Sequence, residues 1–173
     1  MKRATRNRQS AMAIVALGSN LGDSRKIVLD AMTRLQNLSN EPILKSSLWR
    51  TSPVDCPPDS AGFVNAVAGL VPGADETADS LLKKLQALEK EFGRTAKKVS
   101  NEARFLDLDM IAFGRESRNA ADLVLPHPRA HLRRFVLQPL SEIAGELVLP
   151  GWRMTVAEAL AGLESNEVVV RDG

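Results

Sequence analysis

The chain is poor in cysteine, in histidine and in long apolar runs. Its one cysteine, Cys56, excludes an intramolecular disulfide and indicates a reducing compartment, so we expect a cytoplasmic protein. No apolar run approaches the length that spans a bilayer, and we expect no membrane partner. Residues 1–10 contain no acid and lack the apolar core of a secretory signal. We expect them to form a disordered basic tail.

The remaining composition is that of one globular domain. The chain has 173 residues, a formal net charge of +2, 25% charged and 44% hydrophobic residues. These values exclude an intrinsically disordered chain and a membrane protein. The length suits a single domain with a sizeable core, which we expect over residues 11–173.

Apolar periodicity predicts the order of the elements. Residues 11–17 form a buried strand, a glycine turn follows, and Asp23 or Ser24 caps a helix that ends near residue 40. The turn lacks the Lys-Ser/Thr of a P-loop, so we interpret it as a tight strand-to-helix connection. Residues 43–50 and 62–71 are predicted strands, and residues 75–92 form the strongest predicted helix, before a strand around residue 107.

This β-α-β-β-α-β order predicts an α+β fold, a ferredoxin-like sandwich whose two helices lie on one face of an antiparallel sheet. Residues 140–149 and 152–163 would add C-terminal elements. We expect the opposite face of the sheet to be free to build a site.

Two acids interrupt the apolar strand Arg104-Phe-Leu-Asp-Leu-Asp109. Side chains alternate across a strand, so Asp107 and Asp109 share one face while Leu106 and Leu108 occupy the other. Burying two adjacent carboxylates adds repulsion, so we expect a cation between them, and Mg²⁺ suits hard oxygen ligands. Alternatively, both acids pair with Arg or Lys at the end of an edge strand.

Basic and aromatic residues surround this strand in sequence. The 94–104 connection carries Arg94, Lys97, Lys98 and Arg104, which fits a polyphosphate ligand or, alternatively, a solvated loop. The two histidines lie four apart among three arginines, and phosphate binding is favoured over zinc because no cysteine or third histidine is near. Phe63 shares a strand face with Asn65, although an apolar core position is its default interpretation.

Six stretches together resemble one family. They are Ala16-Leu-Gly-Ser-Asn-Leu-Gly-Asp23, Arg50-Thr-Ser-Pro-Val54, Phe63-Val-Asn65, Glu89 to Arg94, Arg104 to Asp109, and Leu125-Pro-His127 to Phe135. In this order they resemble the 6-hydroxymethyl-7,8-dihydropterin pyrophosphokinases of folate biosynthesis. The resemblance implies a ferredoxin-like fold, ATP and a reduced pterin as substrates, two Mg²⁺ ions, and release of AMP after diphosphate transfer to the pterin hydroxymethyl group.

The resemblance also implies a role for each matching residue. Asp107 and Asp109 would hold the metal, and with Arg94 and Arg104 they would form the catalytic set. Arg94, Arg104, His127 and Arg133 match phosphate-contacting cations, and Gln86 and Glu89 match the nucleotide side of the helix. Phe63 and Phe135 would sandwich the pterin, whose polar edge would meet Asn65 and the segment Thr51, Ser52, Pro53 and Val54.

The chain departs from the family pattern in the basic connection. The family usually has Trp-Gly-Pro before Arg104 and a second arginine two residues after Arg94, where this chain has Asn101-Glu-Ala103 and Ala96. Lys97 and Lys98 would supply the missing charge, but lysine does not replace a bidentate arginine, so we expect weaker ATP binding or slower turnover. Arg134 also stands where a small residue is common.

Two other functions stay open at this point. The altered connection fits a divergent paralogue that binds a pterin or nucleotide with little transfer. Ferredoxin-like sheets also serve RNA recognition, but Asp107 and Asp109 would stand where RNA phosphates approach, so we expect no nucleic-acid partner.

Overall fold

The computed structural model of the chain describes residues 11–52, 61–93 and 103–173. The predicted tail at residues 1–10 lies outside the described residues. So do the Pro-rich segment 53–60, with Pro53 and Val54, and the connection 94–102, with Arg94, Lys97 and Lys98.

The described residues form eight strands and four α-helices. The first half contains β1 (Ala13–Ser19), α1 (Ser24–Leu35), β2 (Leu44–Lys45), β3 (Trp49–Thr51), β4 (Phe63–Leu70) and α2 (Ala78–Glu91). The second half contains β5 (Asp107–Phe113), β6 (Arg118–Asn119), β7 (Val124–Leu125), α3 (Arg134–Ala144), α4 (Val156–Gly162) and β8 (Val169–Arg171).

Six strands form one antiparallel sheet. Its order is β5-β1-β4-β3-β8, with β2 also paired to β4, while β6 and β7 form a separate hairpin. The fold is therefore mixed α/β with an antiparallel sheet, as predicted at that level, and β5 lies at one edge of the sheet.

One face of the sheet packs against α1 and α2. Val15, Leu17, Leu108 and Met110 point into this core together with alternate residues of β4. Asp23 begins α1 as predicted, because its side chain accepts a hydrogen bond from the Lys26 amide at 3.1 Å. Helix α2 starts three residues later than the predicted Asp75, because the Thr77 hydroxyl caps it.

The opposite face of the sheet is not free, so the expectation of a free face is wrong where helices α3 and α4 cover it. Helices α3 and α4 bury Ile14, Val67 and Ile111 there. Helix α3 begins at Arg134 and contains Pro139, so its start lies inside the segment that we interpreted only as a phosphate-binding region. The candidate site is thereby confined to one end of this face.

Two strand predictions also needed correction. The predicted strand 43–50 is split into β2 and β3, because Ser46 both donates its amide to Val67 and accepts the Val67 amide on its hydroxyl. Strand β8 was missed, since three residues near the end of the chain carry too little periodicity to predict a strand. None of the helices in the described ranges is long and apolar enough to cross a membrane.

Candidate functional site

The strand register places an acid and an amide in one row across the sheet. Gly18 of β1 is paired with Asp107 of β5 on one side and with Asn65 of β4 on the other, and Asn65 is paired with Trp49 of β3. Antiparallel partners present their side chains on the same face. Asp107 and Asn65 therefore flank Gly18 on the face that also carries α3.

Gly18 leaves the centre of this row without a side chain. A β-carbon at that position would stand 3.0 Å from Asn65 Oδ1 and 3.8 Å from Phe63 Cδ1. The glycine therefore leaves a bare strip of backbone beside the amide and the aromatic ring. Sequence reasoning missed this role, because it considered the glycine only as part of a turn.

The predicted pterin-edge residues meet at the adjoining strands. Asn65 Nδ2 donates to Thr51 Oγ1 at 2.7 Å, and both residues are 6% exposed. Phe63 is half-buried on the same face, opposite Thr51 in the register. A cleft along the turn after β1 is lined by Asn20, Thr51 and Phe63 among others, but not by Asp107 or Asp109.

The two aspartates occupy the predicted face of β5. Asp107 and Asp109 are half-buried, whereas Leu108 and Met110 are core residues. Arg104 Nη1 contacts Asp107 Oδ1 at 3.0 Å, and β5 is an edge strand, so the alternative of an arginine-paired acid holds for Asp107. The Asp107 side chain is still 26% exposed, which leaves it accessible to a ligand.

Asn20 joins the chain segments around this end of the sheet. The side-chain Oδ1 of Asn20 accepts a hydrogen bond from the backbone N-H of Arg104 at 2.9 Å, and the backbone N-H of Asn20 donates to the Arg104 carbonyl at 3.2 Å. The side-chain Nδ2 lies 3.5 Å from the Ala61 carbonyl oxygen. The side chain is inside the protein, and the residue is 6% exposed. This positioning role was missed, because an asparagine in a glycine turn has a sufficient local explanation.

Gln86 and Glu89 of α2 have different environments. Gln86 is exposed, whereas Glu89 is 4% exposed and its Oε1 accepts the Leu108 amide at 2.8 Å. Leu108 lies between the two aspartates. The structure thus gives Glu89 a contact to β5, the strand that carries both aspartates, and its position on the nucleotide side stays a prediction.

His127 is not the cation that the sequence predicted. Burial, followed by the charges of Arg133 and Arg129, lowers the pKa of His127 to about 4, so the ring is neutral at neutral pH. The Arg129 amide donates to His127 Nδ1 at 3.2 Å, which places the remaining ring proton on Nε2. His127 is therefore a neutral hydrogen-bond donor.

Arg133 and Phe135 lie together at the start of α3. The guanidinium carbon of Arg133 is 5.4 Å from the centre of the Phe135 ring, a cation-π arrangement. Burial and the charge of Arg129 lower the pKa of Arg133, whereas the negative charges of Asp109 and Asp107 raise it. Arg133 therefore interacts electrostatically with both aspartates. Both predicted residues thus reach the same end of the sheet.

A metal at the aspartate pair would have few protein ligands. Within the described ranges, no group of three or more His, Cys, Asp or Glu side chains is suitably clustered. Two carboxylates completed by water and substrate phosphates are the usual donor set for Mg²⁺, whereas structural zinc needs four protein ligands. The residues present therefore fit Mg²⁺.

Fold and site together define a small α/β protein with an acidic, arginine-flanked site at one end of an antiparallel sheet. Residues 14–145 match the family described as 7,8-dihydro-6-hydroxymethylpterin-pyrophosphokinase (HPPK). The chain is 38% identical over 139 residues to a 2-amino-4-hydroxy-6-hydroxymethyldihydropteridine pyrophosphokinase of Haemophilus influenzae, covering 80% of this chain and 84% of that protein. The chain belongs to the HPPK family.

Longer proteins contain a similar region. The Pneumocystis carinii folic acid synthesis protein fol1 is 34% identical over 154 residues, which span 89% of this chain and 20% of that protein. A crystal structure of an HPPK-DHPS in complex with substrates superposes with a TM-score of 0.67 at 11% identity, over 87% of this chain and 42% of that one. At this identity the superposition shows a shared fold.

Proposed function

We propose that the protein transfers the diphosphate of ATP to the hydroxymethyl group of 6-hydroxymethyl-7,8-dihydropterin. The hydroxyl oxygen attacks the β-phosphorus, the bond from that phosphorus to the α,β-bridging oxygen breaks, AMP leaves with that oxygen, and the hydroxyl proton is lost. Family membership supports this reaction. The main structural support for this reaction is the row in which Gly18 separates Asp107 from Asn65. In this row an acid that would bind the metal and phosphates lies near an amide that would bind the pterin ring.

Asp107 and Asp109 would hold Mg²⁺, for which we propose two ions. Bound Mg²⁺ would neutralise charge on the triphosphate and align it for in-line transfer. Arg104, whose Nη1 lies 3.0 Å from Asp107 Oδ1, would also contact the phosphates. Glu89 holds the backbone between the two acids, so their spacing is set before substrate binds.

Further side chains would bind the nucleotide. Arg133, beside the aspartates, supplies a permanent positive charge, and Arg94 would add a second one from the connection outside the described residues. His127 would donate its Nε2 proton to a phosphate oxygen as a neutral group. Lys97 and Lys98 would supply the charge of the arginine that Ala96 replaces, and Gln86 would stand on the nucleotide side of α2.

The pterin would lie over Gly18. Phe63 and Phe135 would stack on its two faces, and Asn65 and Thr51 would meet its amide-like edge with Ser52, Pro53 and Val54. Because Asn65 already donates to Thr51, its Oδ1 is directed toward the glycine strip, where a ring N-H would arrive. The polar groups that recognise the ring are thus ordered before binding.

Two finer proposals accompany this function. The β1-α1-β3-β4-α2-β5 portion is ferredoxin-like, which is supported by its antiparallel order β5-β1-β4-β3. The protein acts in the cytoplasm on small-molecule substrates, ATP and the reduced pterin, which is supported by its single cysteine.

The decisive experiment is AMP release from ATP and Mg²⁺ with and without the pterin. We expect pterin-dependent AMP from the unaltered chain and a loss of at least about a hundredfold in Asp109→Asn, because neutralising the carboxylate removes a metal ligand. The matched control is Asp122→Asn, at an exposed position, which should retain the rate. Equal rates in Asp109→Asn and Asp122→Asn would refute the assigned metal site.

A divergent binder is the second candidate, favoured by Ala96 in place of the arginine and by Asn101-Glu-Ala103 in place of the Trp-Gly-Pro segment. This candidate predicts saturable pterin binding with no AMP release. A calorimetric titration with the pterin, run beside the AMP assay, separates the two functions.

A further inference from the structure

The end of the chain, residues 163–172, crosses the two halves of the proposed pterin site. This segment, the C-terminal strap, lies beyond residues 14–145 that match the family. Its strand β8 pairs with β3 in the register Thr51 with Val169 and Arg50 with Val170. The strap therefore extends the sheet next to the strand that carries Thr51.

Two consecutive strap residues contact the two halves of the site. The Ser52 amide donates to the Val168 carbonyl at 3.1 Å, and the Val168 amide lies 3.3 Å from Ser52 Oγ. Next to Val168, Glu167 Oε2 accepts the Phe135 amide at 3.1 Å. Two neighbouring residues, Glu167 and Val168, thus connect Phe135 to Ser52.

The Glu167 contact supplies a cap that α3 lacks locally. The N-cap residue of α3, Arg133, makes no side-chain capping hydrogen bond. The first amides of a helix need external acceptors, and a carboxylate there is further stabilised by the helix dipole. Glu167 meets this need from thirty-two residues away and also acts electrostatically on Arg133. Its carboxylate therefore holds the backbone of Phe135 at the start of α3.

Both ends of the strap are anchored. Arg134 Nη2 donates to the Leu163 carbonyl at 2.9 Å, which gives a role to an arginine that stands where the family commonly has a small residue. At the other end, the Asp172 carboxylate accepts hydrogen bonds from Arg50 Nε at 2.5 Å and from Arg25 Nη1 at 2.9 Å. The backbone N-H of Asp172 donates to the Leu48 carbonyl. The strap is thus held at residues 163, 167, 168 and 172.

We propose that the C-terminal strap sets the separation between the Ser52 and Phe135 sides of the pterin site, with Glu167 as the positioning residue. The inference rests on the proposed function, since the ligand is the flat pterin ring. The pterin needs its stacking residue, Phe135, at a fixed distance from the polar-edge residue Ser52, whereas binding of the triphosphate at Asp107 and Asp109 does not depend on that distance. Loosening the strap should therefore weaken pterin binding and leave ATP binding unchanged.

The test compares Glu167→Ala with Glu167→Gln and with Glu164→Ala, which removes an exposed carboxylate of the same strap. Pterin affinity is measured by calorimetry, and the KM values for pterin and ATP are measured by AMP release. We expect the pterin Kd and KM to rise about 3- to 30-fold in Glu167→Ala, the range of a lost helix cap, with the KM for ATP unchanged. Glu167→Gln, which keeps an acceptor oxygen, should recover most of the affinity.

Two results would overturn the proposal. One is an unchanged pterin Kd in a folded Glu167→Ala protein. The other is an equal rise in both KM values with a lower melting temperature, which is the sign of a merely structural cap. Failure of the unaltered chain to bind the pterin would instead overturn the proposed function, and the strap's role in pterin binding with it.

Discussion

The carboxylate of Glu89 lies against the backbone of the strand that carries the two aspartates, with its Oε1 2.8 Å from the Leu108 amide nitrogen. Leu108 separates Asp107 from Asp109, so this one contact holds the backbone on which both acids depend. The contact is inside the protein, since Glu89 is 4% exposed and Leu108 is 5% exposed. Glu89 therefore couples helix α2 to the acidic pair.

We expect Glu89→Ala to lower the free energy of unfolding by about 1–3 kcal/mol, because the buried Leu108 amide loses its acceptor. AMP release should fall together with stability, as the aspartate spacing relaxes. Glu89→Gln keeps an acceptor oxygen and should be milder on both measures. Urea unfolding and the AMP assay check the prediction. The control is Glu91→Ala, which breaks an exposed pair with Arg34 and should change neither quantity by much.

Gly18→Ala should weaken pterin binding by about tenfold or more, because its β-carbon would stand 3.0 Å from Asn65 Oδ1 and displace the amide that meets the ring. Overpacking at this contact should also cost about 1–3 kcal/mol of stability. Gly162→Ala is the matched control, since no atom lies within 4 Å of its added β-carbon. Calorimetry with the pterin makes the comparison, and equal affinities for the two variants would contradict the role assigned to Gly18.

His127 predicts a pH dependence of stability. Its folded pKa of about 4 lies below the ordinary value of 6.5, so between these two pH values the unfolded chain binds a proton that the folded protein does not. The free energy of unfolding should therefore fall as the pH is lowered through this window. The loss should stay below about 1.4 kcal/mol per pH unit, because the ring is only partly buried.

Urea unfolding at several pH values across that window measures this loss. In His127→Gln the loss should be smaller, while His131→Gln, which removes the exposed histidine, should follow the unaltered chain. Parallel curves for all three proteins would show that the ring titrates normally in the folded state.

Ala96→Arg restores the second arginine of the family pattern and should tighten ATP binding. One additional charge-assisted phosphate contact is worth about 1.5–3 kcal/mol, so we expect at least about a tenfold lower Kd for ATP. Ala96→Gln adds a side chain without the charge and should have little effect. An ATP affinity that is the same in all three proteins would mean that Lys97 and Lys98 already supply the missing charge.

Local patterns were sufficient to predict the main elements and the faces of the strands. The alternation of Asp107 and Asp109 with Leu108 and Met110 predicts which of these side chains are buried. The two helices on the first face were predictable because their apolar residues recur at helical spacing. The start of α3 was not, since arginines occupy its N-cap and its first position, and Pro139 interrupts the helical pattern.

Features that depend on distant pairings were beyond the sequence. The neutrality of His127 follows from burial and from two arginines that fold around it, and no spacing in the sequence predicts burial of a histidine among cations. The row through Gly18 depends on which strands are neighbours. Strand β8 is stabilised by β3, which lies more than a hundred residues earlier.

The Asn20 side chain contacts the backbone next to both segments that lie outside the described residues. The two segments outside the described residues, 53–60 and 94–102, re-enter the described chain near Ala61 and Arg104, and Asn20 bonds to the backbone at both points. The backbone on the described side of each segment is thus bonded to the same residue, next to the end of β1. Substitutions within 94–102 should therefore leave the position of Arg104, and of the strand that follows it, unchanged.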